Sequence, residues 1–324
     1  MRLNQRINYF LFAILLGFGL AATLAAQTAP KAKTWTPPRT ADGQPDLQGV
    51  WSNVTATPLE RPAELAGKAF FTPAEAAAYA KQVAERSNVD RPEARRPGDP
   101  GGYNEAWFDR ATSTVKSLRT SLIVDPSDGK IPALTPDGER RAAAFAKERR
   151  EHGTDGPEFR TLNERCILWG TAGPPMMPAG YNSNYQILQS PGYVTIFIEM
   201  IHEVRQIPLD GRAHLPSGIR QWMGDSRGHW EGNTLVVDTT NFTDKTRFRG
   251  ASENLRLIER FTRTDPGTIL YEFTVNDPAA FTKPWTAAMN MTKAQGPIYE
   301  YACQEGNYAL TDILAGARVT EERK

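Results

Sequence analysis

The sequence predicts a mainly β fold: an antiparallel, lipocalin-like barrel with a helical N-terminal segment packed against it. Three observations predict it. From about residue 183, short apolar or alternating runs follow one another between turn residues, with almost no helical period. The clear helix starts both fall before residue 160. A long meander protects its edges best by closing, which favours a barrel over an open sheet.

The first 26 residues read as a secretory signal. Arg2 and Arg6 give a positive start, Phe10 to Leu24 an apolar run, and Ala25-Ala26 small residues for cleavage. That run is short of the roughly 20 residues a membrane span needs. A periplasmic or secreted protein without stable membrane insertion is expected. The chain has 38 Lys and Arg against 37 Asp and Glu. Removing Arg2 and Arg6 leaves a net charge of about −1, which argues against nucleic acid as a partner.

Residues 27–45 are rich in Pro, Lys and Thr and read as a linker. Residues 46–160 carry a first strand and the helical segment. The strand is Asp46 to Ser52. Thr72-Pro73-Ala74-Glu75 has a capping hydroxyl, Pro at the first helical position and Glu three residues after the cap, and opens a helix to about Arg86. Thr135-Pro136 opens a second helix to about Glu151, and Arg119 to Asp125 reads as a strand between them.

Residues 161–310 form the barrel domain, with 311–324 as a tail. The strands are Tyr185–Gln189, Tyr193–Met200, Val204–Leu209, Trp230 with Thr234–Thr239, Leu255–Arg263, Thr268–Asn276, Ala287–Lys293 and Ile298–Cys303. Cys166 and Cys303 are the only cysteines, and an exported chain makes them a disulfide pair tying the start of this domain to its end. In the Leu255–Asn276 hairpin, joining the apolar faces requires an odd loop. Asp265-Pro266-Gly267 supplies it, as a type I turn with Gly267 left-handed. Tyr271 then opposes Phe261 and Phe273 opposes Glu259, so Glu259 points inward among aromatic rings. Its pKa rises there unless it is paired.

The segment Gln221 to Asp238 concentrates Trp222, Asp225, Arg227, His229, Trp230 and Asp238 around a turn. If Trp230 pairs with Thr234, the Leu235/Val237 face carries Asp225, Arg227 and His229 into the barrel. The alternative carries Ser226, Trp230 and Asp238. We take the first set as inward. Gly224-Asp225-Ser226-Arg227-Gly228 matches the nucleophile-elbow string, but a hairpin follows where that motif needs a helix.

Polar groups beside an apolar wall suit a small-molecule site. We expect a partly apolar or aromatic molecule in the barrel mouth, lined by Trp222, Trp230 and Trp285 and oriented by Arg227, His229 and His214. Glu199 and His202 would join only if the chain turns at Met200-Ile201. An enzyme on the same scaffold, a cofactor-free hydrolase, lyase or isomerase, would use His214 or His229 as acid/base, with Asp225 or Glu259 as partner. A structural envelope protein with a plugged barrel is the third reading. The histidines lack metal-ligand spacing, and no cofactor signature is present. The stiff apolar loop Gly173 to Pro178, after Cys166 and Trp169, suits a cavity edge or a barrel-end plug.

Trp230-Glu231-Gly232-Asn233-Thr234-Leu235-Val236-Val237-Asp238, Ile207 to His214, and Asp277-Pro278 with Lys283-Pro284-Trp285-Thr286 resemble runs in a large group of exported bacterial proteins of unassigned function. The resemblance spans roughly residues 160–310 and implies a shared exported β-rich fold, with no activity attached. Gly49-Val50-Trp51 also resembles the G-x-W of a lipocalin first strand.

Overall fold

The computed structural model describes residues 35–91, 103–170, 172–246 and 248–322. The expected signal and residues 27–34 of the expected linker lie outside them. The described strands, in chain order, are β1 (Gly49–Ser52), β2 (Ile123–Asp125), β3 (Asn184–Ser190), β4 (Tyr193–Ile198), β5 (Val204–Pro208), β6 (Asp225–Glu231), β7 (Thr234–Thr240), β8 (Arg256–Asp265), β9 (Thr268–Asn276) and β10 (Trp285–Lys293). The helices are α1 (Pro73–Ser87), α2 (Pro136–His152) and α3 (Tyr308–Glu322). None of them is long and apolar enough to cross a membrane.

Nine strands form a nearly closed antiparallel barrel in the order β5-β4-β3-β1-β10-β9-β8-β7-β6, while β2 adds to the free stretch of β10. Nine strands, each antiparallel to the next, leave β5 and β6 running the same way where the sheet meets itself. Side chains make that seam. Gly228 on β6 lies so close to β5 that a Cβ there would meet Ile207 Cγ2 at 2.8 Å and Leu209 Cδ2 at 2.7 Å. Arg205 Nη2 on β5 donates to Ser226 Oγ on β6 at 3.3 Å.

Alternation decides the faces. On β8, Leu257, Glu259, Phe261 and Arg263 are buried, and so are Ile269, Tyr271, Phe273 and Val275 on β9. With Trp51, Trp285, Ile187 and Ile196 they fill the interior. Each large apolar side chain removed from water contributes on the order of 2–3 kcal/mol. The expected pairings Phe261–Tyr271 and Glu259–Phe273 are present. The odd count, however, comes from a bulge between Arg263 and Asp265, and Gly267 is not left-handed.

The helices begin as their sequences dictate. The Thr72 hydroxyl accepts from Glu75 N, and Glu75 accepts from Thr72 N at 2.8 Å, closing a capping box. The Thr135 hydroxyl accepts from Gly138 N at 3.0 Å. Gly138 lets α2 sit on the β9–β10 connection, since a Cβ would stand 2.6 Å from Ala280 O.

Cys166 and Cys303 are disulfide-bonded across 137 residues, and β3 to β10 all lie inside that covalent ring. Three expectations change. Ile298–Cys303 is not a strand: none of its residues pairs with the sheet. Residues 308–322 are helical rather than a plain tail. Of Arg119 to Asp125 only Ile123–Asp125 pairs as a strand.

Candidate functional site

The β6–β7 hairpin turns on two residues, Gly232-Asn233, with Glu231 paired to Thr234 and Trp230 to Leu235. Gly232 takes φ 62°, which suits glycine. The expected Trp230–Thr234 pairing is therefore one residue out, and the inward set changes. Ser226, Gly228 and Trp230 share the buried face with Leu235, Val237 and Thr239. Asp225, Arg227 and His229 point away from the barrel axis.

On that outer face several of the expected residues do meet. His214 Nδ1 lies 3.0 Å from Asp225 Oδ2, and Nε2 lies 3.6 Å from Asp238 Oδ2. Asp225 also accepts from Leu215 N at 3.0 Å and Arg227 Nη1 at 2.6 Å. Arg227 Nε donates to Ala213 O at 3.1 Å. Arg256 holds Asp238 through Nε and Nη2 at 2.7–3.2 Å, and this raises the guanidinium above its ordinary value. Both imidazole nitrogens thus face carboxylates. An acid/base must offer one nitrogen to a substrate; here the ring clamps the 212–215 loop onto β6 and β7. His229 is exposed and pairs with Glu231 at 3.1 Å. Arg260 first, and then His229, hold the Glu231 carboxyl below its usual value.

Glu259 is fully buried, as its alternation requires, and it is paired. Arg205 donates to it through Nη1 at 3.1 Å and Nη2 at 2.5 Å, and the Tyr271 hydroxyl at 2.7 Å. Burial pulls the Arg205 guanidinium down, but Glu259 more than reverses this and leaves it raised. Burial and then the Glu259 charge push the Tyr271 hydroxyl well above the ordinary phenol value, so it stays a donor. Tyr271 Oη also accepts from Met176 N at 3.0 Å, tying the 173–178 loop across the barrel end. This network is an interior plug rather than an open wall, with Arg205 Nε as its one buried nitrogen without a hydrogen-bond partner among the described residues.

The remaining expected residues are dispersed. The chain does turn at Met200–His202, but Glu199 accepts from Asn184 Nδ2 at 2.8 Å and Tyr299 N at 3.2 Å. His202 is exposed, with its ring edge-on to Phe197. Trp285, expected to line the mouth, is wholly buried among Phe248, Phe273 and Phe281. Trp222 is half-buried in the loop before β6, where its carbonyl accepts from Thr246 Oγ1 at 2.7 Å. Among the described residues, no three His, Cys, Asp or Glu side chains gather as metal ligands.

A cleft of ≈ 460 Å³ opens elsewhere, between α2, the 158–174 segment and the β7–β8 loop. Phe159, Leu162, Leu168, Trp169, Pro174 and Phe248 give it an apolar lining. Phe248 stacks on Trp285 with ring centroids 6.1 Å apart, so Trp285 supports the cleft from beneath. Arg149, Arg160, Arg165, Lys245 and Arg249 line it too, with Glu148 and Glu158. One wall is pinned through the disulfide: Asn307 Nδ2 donates to Glu164 O at 2.8 Å, beside Cys166. Only the loop after Trp169 points to this cleft in the sequence; the cations come from segments about ninety residues apart.

No protein-family model, curated protein or solved structure matches the chain.

Proposed function

We propose that this is an exported β-barrel protein that binds a small, partly apolar or aromatic molecule in the α2-end cleft rather than in the barrel mouth. The observation that carries this reading is the cleft itself. Its ≈ 460 Å³ falls in the range of small-molecule sites, and its lining mixes aromatic rings with a few charged groups. Inside the barrel, Arg205, Glu259 and the aromatic core are buried against one another. The filled barrel serves as a rigid support for the cleft. Export is supported by the Arg2 to Ala26 pattern and by the disulfide, which persists in oxidising compartments.

The test is a fluorescence titration with N-phenyl-1-naphthylamine, an uncharged aromatic dye. Saturable binding is expected, weakened about tenfold in Phe159→Ala, since a lost aromatic contact of about 1.4 kcal/mol is tenfold. Trp230→Ala, at the β6–β7 hairpin, should leave it unchanged. Loss of binding in Trp230→Ala but not in Phe159→Ala would return the site to the barrel mouth.

A further inference from the structure

We infer that the ligand of the cleft is an organic anion: a carboxylate or sulfonate on an aromatic or apolar body. This rests on the cleft being the binding site.

The barrel's own arginines are neutralised. Arg205 pairs with Glu259, Arg227 with Asp225, Arg256 with Asp238 and Arg260 with Glu231. The cleft departs from that pattern. Arg160 is held by Glu164 at 2.5 Å. Arg149, Arg165, Lys245 and Arg249 have no ion-pair partner among the described residues, against Glu148 and Glu158 as lining acids. Like charges converging on a concave surface raise its potential and favour an anion from solution.

The β7–β8 loop narrows the placement. Among the described residues it contributes Lys245, Thr246, Phe248 and Arg249 to the lining and no acid. Arg249 is exposed and takes a left-handed backbone, φ 51°, beside Gly250 at φ 91°. Non-glycine residues rarely adopt that conformation, and it is concentrated at ligand clamps. A guanidinium there can grip a carboxylate or sulfonate through two parallel N–H donors, with Lys245 as a second charge. The Phe248 ring, fixed on Trp285 and largely buried, offers only a small part of its surface to the apolar body, three residues after Lys245 and one before Arg249. Glu148 and Glu158 come from the other walls, so the anionic group belongs at the β7–β8 side.

Two dyes that share a skeleton test this: 8-anilinonaphthalene-1-sulfonate and uncharged N-phenyl-1-naphthylamine. The sulfonate is expected to bind about tenfold more tightly and to weaken with added salt. In Lys245→Met/Arg249→Met, with the thermal melt unchanged, sulfonate affinity should fall about tenfold while the neutral dye stays within about twofold. Equal affinities for the two dyes, unaltered by the double variant, overturn the anion and leave the cleft standing. Insensitivity of both dyes to Phe159→Ala removes the cleft and the anion with it.

Discussion

Glu259 and Arg205 are both buried and meet across the barrel from β8 to β5. Removing one partner strands a charge in a low-dielectric interior. Arg205→Met is expected to cost about 3–5 kcal/mol in urea unfolding, and Arg205→Met/Glu259→Leu much less, because desolvation is relieved for both. A double variant as unstable as the single one would show that packing, not charge, sets the cost. The sequence disclosed half of this pair. Hairpin parity between Leu255 and Asn276 turned Glu259 inward without any knowledge of the rest of the molecule. Arg205 carried no such signal: its strand has no tight hairpin partner in the sequence, and the pairing spans 54 residues. The sequence left His214 or His229 to pair with Asp225 or Glu259; that His214 meets Asp225, with Asp238 facing its second ring nitrogen, follows from register.

At the level of elements, α1 shows how a local motif becomes a pH response. Its capping box holds Glu75, and Lys68 bonds the same carboxylate. Lys68 first, then the Thr72 backbone, lower its pKa from 4.5 to about 2. A depressed folded-state value contributes stability that is complete above pH 4.5 and is lost as pH falls toward about 2. The first-turn amides of α1 should therefore lose hydrogen-exchange protection between those values, and Glu75→Gln should show no such step. Protection that stays constant down to pH 2 would sink the idea. The helix caps and most of the strand runs were legible because each is written in adjacent residues. The β6–β7 hairpin was not: Leu235, Val236 and Val237 are all apolar, so patterning could not separate a two-residue from a three-residue turn. A one-residue slip exchanges the two faces.

Across the whole molecule, the disulfide joins folding to the cleft. In the chain-entropy model a loop of 137 residues is worth about 5 kcal/mol. Cys166→Ser/Cys303→Ser should lower unfolding stability by up to about that amount. It should also weaken N-phenyl-1-naphthylamine binding, because the Glu164–Cys166 wall loses its covalent tie to the 303–307 segment. Undiminished dye affinity in a destabilised variant would separate the two roles. The barrel as a class was readable from turn spacing and strand length. The cleft was not, because α2, the 158–174 segment and the β7–β8 loop meet only after the chain has closed.

The ring that the disulfide closes contains eight of the nine barrel strands, and the ninth, β1, enters from outside it between β3 and β10. The cask is thus hooped with one stave missing, and the stave that completes it hangs on a separate length of chain. Trp51, wholly buried and bonded through Nε1 to Leu47 O at 2.9 Å, is the peg on that stave. The strand that joins β3 to β10 is the first in sequence, so an intact N-terminal arm is a condition of a sealed wall.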